Sequence, residues 1–251
     1  MRVVAIIQAR MGSSRLPGKV LLDLCGKTVL EHDLIRISSS RRIDKVVVAT
    51  TTEPCDDLIV DEARRCGVGV FRGSEEDVLS RYYHAALEYR AEVVVRMTSD
   101  CPLFDAAVLD AMLDIFLPGQ VDEAPFDYMS NTLERRTFPR GLDAEIFTFA
   151  ALEQAYHEAD KPHEREHVTP FFYQNPERFK LVGYCGEEDN SRYRWTLDTD
   201  ADLALIRAIY EALYRKGNLF TTSQVLDLMA ARPELATLNA HVEQKKVEDG
   251  G

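Results

Sequence analysis

No stretch of this 251-residue chain is apolar over a membrane-spanning length. Its opening run, Val3-Val4-Ala5-Ile6-Ile7, is interrupted by Gln8 and Arg10, too early for the core of a signal peptide. The five cysteines, Cys25, Cys55, Cys66, Cys101 and Cys185, are odd in number, widely spaced and without a C-x-x-C pair. That pattern argues against a disulfide framework and a zinc site and suits reduced thiols, so a cytoplasmic location is expected. Positive charge is in deficit as well, with 30 Lys and Arg against 42 Asp and Glu and a net charge of −12. Neither nucleic acid nor an anionic membrane is expected as a partner, since each rewards a basic face.

Two common nucleotide loops are also missing. A Walker A loop has the form G-x-x-x-x-G-K-[ST], but five residues separate Gly12 from Gly18, and Val20 follows Lys19 where a hydroxyl is required. Gly26-Lys27-Thr28 ends correctly, yet Leu21 stands at the position of the first glycine. No G-x-G-x-x-G occurs, which disfavours a dinucleotide-dependent dehydrogenase.

What the chain does have is a strand-like run that ends in Gln8-Ala9-Arg10-Met11-Gly12-Ser13-Ser14-Arg15-Leu16-Pro17-Gly18-Lys19. Small residues let backbone N–H groups approach phosphate oxygens, and Arg10, Arg15 and Lys19 supply the compensating charge. In an acidic chain these cations read as a local site for a small anion.

Periodicity predicts an α/β fold. Continuous apolar runs alternate with amphipathic stretches over the first half, the pattern of a parallel sheet covered on both faces. Strands are expected at Val3–Gln8, Lys45–Thr50, Val68–Phe71 and Glu92–Met97, with helices at Val29–Ser39, Asp56–Arg65, Asp77–Tyr89 and Ala106–Phe116. Ligands in such sheets collect beyond the carboxyl ends of the strands, where Arg10, Thr50-Thr51-Thr52, Gly73 and Asp100 are all expected. The second half is less regular. Leu117 to Arg140, with Pro118, Pro125 and Pro139, reads as loops with a short strand near Tyr128. Asp143 to Phe147 alternates with period 2, which places Asp143 and Glu145 on one strand face. Helices are expected at Thr148–Glu158, Glu164–Gln174, Asp202–Tyr214 and Ser223–Ala231, and strands at Lys180–Tyr184 and around Trp195. His241 to Gly251 reads as a polar tail. The remainder, 1–240, is expected to be one domain, with a nucleotide-binding half at 1–116 and an acceptor-binding half at 117–240.

Two aspartates far apart in sequence suit a metal. Asp100 follows an apolar strand and precedes Pro102, whose fixed φ and missing N–H favour ending the strand there. Asp198 follows Arg194-Trp195-Thr196-Leu197 in a similar position. A hard cation such as Mg²⁺ keeps several waters and needs only one or two carboxylates beside a triphosphate.

The string from Ile7 to Lys19 resembles the signature loop of the sugar-acid cytidylyltransferases, in the spore-coat polysaccharide biosynthesis protein F branch related to CMP-Kdo and CMP-sialate synthetases. Further matching pieces follow in family order. They are Gly73-Ser74-Glu75-Glu76-Asp77-Val78-Leu79-Ser80-Arg81-Tyr82, Arg96-Met97-Thr98-Ser99-Asp100-Cys101-Pro102-Leu103 and Gly141-Leu142-Asp143-Ala144-Glu145. Arg165-Glu166-His167-Val168-Thr169-Pro170 and Arg194-Trp195-Thr196-Leu197-Asp198-Thr199-Asp200 complete the set.

The resemblance implies a Rossmann-like nucleotide-diphospho-sugar transferase fold with a mixed, mostly parallel sheet. It also implies Mg²⁺ on Asp100 and Asp198, CTP as nucleotide donor, a small acidic sugar-like acceptor and a homodimer. In that picture Arg10, Arg15 and Lys19 hold the outer phosphates, and Gly12 and Ser13 belong to the loop that cradles them. Ala9, Arg10, Arg81 and Thr98 are candidates for reading the base, although Arg81 has Glu75 and Asp77 nearby as alternative partners. The close relatives carry glutamine-glycine before the first metal aspartate where this chain has Thr98-Ser99, so CTP specificity is an inference. For the acceptor, Asp143 and Glu145 are candidates for hydroxyl contacts, and Arg140, Arg165 and His167 for its charged group. Asp202 occupies the second acid of the late motif. Asp200 is an extra carboxylate open to sharing the metal or to capping the following helix, of which capping is expected, and His32 and His163 are expected to be ordinary surface or capping residues.

Two other classes compete. A glycosyltransferase of the same fold usually carries a D-x-D pair, and Thr98-Ser99-Asp100 lacks the first acid. A non-catalytic nucleotide-binding protein has no need for both metal aspartates and all three loop cations.

Overall fold

The computed structural model describes residues 1–119 and 125–244. β1 (Val3–Gln8) is a continuous apolar run because it is buried on both faces, with Val4, Ala5, Ile6 and Ile7 fully inaccessible. It feeds the Ala9–Gly18 loop and a single 3-10 turn at Lys19–Leu21. A small hairpin follows, β2 (Asp23–Leu24) and β3 (Lys27–Thr28), which turns through positive φ at Cys25 and Gly26. Thr28 then caps α1 (Val29–Ser38) by accepting from the Glu31 N–H.

The chain continues through β4 (Lys45–Thr51), α2 (Asp57–Arg65), β5 (Gly69–Gly73), α3 (Val78–Glu88), β6 (Val93–Thr98) and α4 (Ala106–Gly119). In the second half come β7 (Tyr128–Ser130), β8 (Glu145–Thr148), α5 (Phe149–Glu158), α6 (Pro162–His167) and α7 (Pro170–Tyr173). They are followed by β9 (Leu181–Gly183), α8 (Asp200–Leu213) and α9 (Thr222–Ala231).

Among the described residues the main sheet has seven strands in the order β5-β4-β1-β6-β8-β7-β9. The pairs β5–β4, β4–β1, β1–β6 and β7–β9 are parallel, and β8 runs against both β6 and β7. The chain leaves β1 toward β4 and β5, then returns to its other side with β6. This reversal opens a crevice at the carboxyl ends of β1 and β6, where α/β sheets bind ligands. Gln8 pairs with Thr98, so the loops bearing Arg10 and Asp100 start side by side.

One face of the sheet packs on α1, α2 and α4 through Leu34, Ile59 and Leu113. The other packs on α3, α5 and α7 through Tyr82, Leu152 and Phe172. A third core joins α8 and α9 to Trp195 and Leu197, and through Leu142 and Val29 to the rest. No helix among the described residues is long and apolar enough to cross a membrane.

Several expectations need correction. The helix expected at Glu164–Gln174 is two helices, because Val168 sits at φ 70 and Pro170 lacks the N–H needed to continue the ladder. The Trp195 strand is only a bridge between Arg140 and Arg194. α4 runs on past Phe116 through Leu117 and Pro118 to Gly119. Residues 120–124 of the expected loop stretch, and 245–251 of the expected tail, lie outside the described residues.

Candidate active site

The loop after β1 is held from below by Asp56. This buried carboxylate accepts from the Met11 N–H at 2.8 Å and from the Thr50 and Thr51 hydroxyls at 3.0 and 2.5 Å. Burial opposes its charge, but these bonds outweigh burial and hold its pKa below the usual carboxylate value. The loop then folds back through Gly18, at φ 67, whose N–H donates to the Met11 carbonyl at 3.1 Å. That reversal delivers Lys19 to the crevice.

The Lys19 ammonium sits among three oxygens, each 2.8 Å away: Asp100 Oδ2, Asp198 Oδ1 and the Leu197 carbonyl. Burial lowers its pKa, but the two carboxylates outweigh burial and raise it above the ordinary value. Asp198 shows the converse. Burial pushes its pKa up, while Lys19, Arg15 and Arg194 pull it below 3.8. Arg15 reaches Asp198 Oδ2 at 3.0 Å, and Arg194 donates to the same oxygen at 2.8 Å. Asp100 is steadied by the Thr98 hydroxyl, which donates to its Oδ1 at 2.6 Å.

A cation thus stands in an all-oxygen cage built from the ends of two separate segments. This hard donor set fits a divalent ion such as Mg²⁺. Among the described residues no group of three or more His, Cys, Asp or Glu side chains is arranged to hold a metal, so two carboxylates with substrate oxygens and water are what the centre offers.

Behind Asp198 lies Asp202, which is fully buried. Its carboxylate accepts from Arg194, from Asn239 Nδ2 at 2.8 Å and from the backbone N–H groups of Asp198 and Thr199, both at 3.0 Å. Burial disfavours its charge, yet the Arg194 and Asn239 contacts keep its pKa below 3.8. The stability conferred by Asp202 and Asp198 is therefore complete above pH 3.8 and is lost as pH falls through their depressed folded values. Asp202→Asn is expected to lose about 3 kcal/mol at pH 7, because Arg194 loses the fully buried one of its two carboxylate partners and keeps only Asp198. Urea titrations at pH 7 and pH 3 check this, with the gap from wild type narrowing at pH 3.

Gly141 fixes the approach of the second half. At φ 104 its backbone lies so close to Trp195 and Thr196 that a Cβ would meet the Thr196 nitrogen at 2.6 Å. Gly141→Ala is expected to cost about 2–4 kcal/mol from left-handed strain and overpacking, read as a lower denaturant midpoint.

The other candidates are distributed as follows. Arg10 is exposed and reaches Glu75 at 3.4 Å. Gly12 is exposed, and Ser13 lies in the loop with its N–H on the Met11 carbonyl at 2.9 Å. Ala9 is buried and pairs with Ala49. Arg81 is buried; its guanidinium donates to the Ser74 carbonyl at 3.0 Å and pairs with neither the Glu75 nor the Asp77 carboxylate, and burial pushes its pKa down. Asp143 precedes β8 and is held by Arg136, while Glu145 is held by Arg96, Tyr128 and Thr169. Arg165 pairs with Asp77 and donates to the Tyr156 carbonyl at 2.8 Å, tying α6 to α3. His167 is the last residue of α6. Arg140 is half-buried and has no ion pair or side-chain hydrogen bond among the described residues.

Two smaller expectations fail. Thr199, not Asp200, caps α8, in a reciprocal capping box with Asp202, and Asp200 is the exposed first residue of the helix. His32 is buried, with its ring nitrogen 2.7 Å from the Leu24 carbonyl and its edge on Tyr210.

Arg194 and Asp202 were not singled out as a pair by sequence, although their spacing from Asp198, four residues on either side, was a usable signal. Asp33 of α1 gave none. It is buried, with no hydrogen-bond partner for either oxygen among the described residues, and burial followed by the charge of Asp100 pushes its pKa well above the usual carboxylate value.

The cytidylyltransferase family model matches residues 4–227. The spore coat polysaccharide biosynthesis protein SpsF of Bacillus subtilis is 31% identical over 251 residues, covering 94% of this chain and 97% of its own. A cytidylyltransferase structure from Leptospira borgpetersenii superposes with a TM-score of 0.89 at 38% identity, over 98% of this chain and 100% of that one. CMP:2-keto-3-deoxy-manno-octonic acid synthetase, solved with CTP, shares the fold with a TM-score of 0.64 at 18% identity, covering 84% and 99%. The mixed sheet is that of the nucleotide-sugar transferase fold. With the family model spanning most of its length and an SpsF-type relative matched almost end to end, the chain belongs to the cytidylyltransferase family, in the SpsF branch, and is a nucleotidyltransferase.

Proposed function

We propose that this enzyme transfers CMP from CTP to a small acidic sugar-like acceptor with release of pyrophosphate, in the cytoplasm and in the service of polysaccharide assembly. The carrying observation is the placement of Lys19, Asp100 and Asp198 within 2.8 Å contacts at the crevice beyond β1 and β6. On this reading residues 1–116 bind the nucleotide, residues 117–240 bind the acceptor, and the working unit is a homodimer.

Attack on an α-phosphorus needs charge neutralisation and positioning more than covalent help from the protein. Asp100 and Asp198 would hold Mg²⁺, which when bound supplies positive charge to the phosphate oxygens and the incoming nucleophile. Lys19 and Arg15, now paired to these acids, pass to the β- and γ-phosphates, and Arg10 closes over them from the rim. Thr98 and Arg194 keep the two carboxylates aimed while the cations change partners. Asp56 keeps the loop N–H groups in place for the triphosphate. Ala9, Gly12, Ser13 and Arg81 line the approach of the nucleoside. The acceptor falls to the side of Arg140 and Asp143, with Glu145, Arg165 and His167 further back.

Titration calorimetry of CTP, UTP, ATP and GTP in the presence of Mg²⁺ tests the donor. CTP is expected to bind at least tenfold tighter than the other three. Equal binding of all four would remove the assignment of the base.

A further inference from the structure

Arg194 has a second surface. Besides holding Asp198, it lines a cavity of about 310 Å³ together with Arg140, Arg192, Tyr193, Asn239 and Gln244. That volume suits a ligand of sugar size. Three arginines are among its described lining residues, and no acidic residue is. In a chain of net charge −12 this is a local inversion of sign.

The three arginines are not equally satisfied. Arg194 is neutralised by Asp198 and Asp202 and donates to the Gln244 side-chain carbonyl at 2.6 Å. Arg192 lies over the Tyr193 ring, 4.7 Å from its centroid, and donates to that phenol oxygen at 3.0 Å. Arg140 has no ion pair or side-chain hydrogen bond among the described residues, although half-buried; burial and then the charge of Arg136 push its pKa down, against the opposite pull of Asp143. Arg140 and Arg192 therefore line one cavity without a salt bridge to a carboxylate among the described residues. A planar guanidinium is built to take a carboxylate or a phosphate on two parallel N–H bonds.

We propose that this cavity binds the anionic group of the acceptor, a carboxylate or phosphate carried on a small polyhydroxylated skeleton, with Arg140 as its main counter-ion and Arg192 as the second. The proposal rests on the transfer reading above and adds where the acceptor is held. Arg194 then links the two sites, since the side chain that walls the cavity also fixes Asp198.

The chain has its own reporter. Its one tryptophan, Trp195, stacks on Tyr193 at 5.7 Å between ring centroids, and Tyr193 lines the cavity. Full-length protein titrated with sodium phosphate and, separately, sodium gluconate at constant ionic strength is expected to show a saturable change in tryptophan fluorescence with at least one of them. The anion that saturates identifies the group the cavity takes. Arg140→Met is expected to weaken that binding at least tenfold and Arg140→Lys by less, with unchanged melting temperature for the lysine variant. Lys19→Met, which disables the phosphate loop, should leave the signal in place. No saturable change with either anion, equal affinity in Arg140→Met, or loss of the signal in Lys19→Met would each overturn the proposal. Failure of the transfer reading shows separately, as absence of CTP binding in the same preparations.

Discussion

Asp100→Asn is expected to lower CTP-dependent pyrophosphate release by about 10³ or more while the protein stays folded. The substitution removes one of the two carboxylates of the cage and keeps its shape. The Thr98 hydroxyl, which now donates to Asp100 Oδ1 at 2.6 Å, can still donate to an amide oxygen. Lys19 keeps Asp198 and the Leu197 carbonyl at 2.8 Å. The fold therefore loses one partly exposed ion pair, a small term, whereas the reaction loses half of the acidic pair that meets Lys19 at the crevice. Pyrophosphate release and thermal melting measured on the same sample separate these effects. A fully active Asn variant would remove Asp100 from the centre.

Lys19→Met is expected to have the second largest effect, and to act in opposite directions on two ligands. In the nucleotide-free protein the ammonium neutralises Asp100 and Asp198 at the position that suits a divalent ion. Removing it leaves an acidic pair that attracts a cation more strongly, so Mn²⁺ binding to the free protein should tighten by about tenfold, equivalent to about 1.4 kcal/mol. The same loss deprives the triphosphate of a cation, so CTP should bind more weakly, and more so than CMP. Without metal the variant should melt lower than wild type, and added Mn²⁺ should restore much of the difference because it binds only the folded form. Electron paramagnetic resonance of free Mn²⁺ gives the first affinity without any turnover. Equal Mn²⁺ affinity in the two proteins would mean that the ammonium does not compete for the cage.

The parallel half of the sheet was legible in sequence for a plain reason. Strands buried on both faces must be apolar throughout, so Val3–Gln8 was read to the residue and β4, β5 and β6 to within one or two. The loop cations, Asp100 just past β6 and Asp198 just past the Arg194 bridge were readable because chemistry at that place has few residue types to draw on.

What escaped was whatever depends on segments far apart in sequence. Glu145 looked available for an acceptor, but β8 enters the sheet antiparallel to β6 in a register that pairs it with Arg96, which takes up its charge. The Trp195 segment looked like a strand, yet Gly141 packs so tightly against it that only one bridge, Arg140 to Arg194, is made. The hairpin at Asp23–Thr28 is two residues per strand, too short for alternation to register. Arg194 carried a motif position in the sequence but no role, because its service to both Asp198 and Asp202 exists only once α8 has been capped at Thr199.

The most direct test of the centre is ³¹P NMR of the purified enzyme with CTP, Mg²⁺ and a panel of acidic sugars, sugar phosphates and phosphonates. The arrangement of Lys19, Asp100 and Asp198 predicts that one acceptor class gives a new CMP-linked resonance together with an equal amount of pyrophosphate. No new resonance with any acceptor, alongside transfer from a ready-made nucleotide sugar in the same tube, would contradict it and make the enzyme a glycosyltransferase.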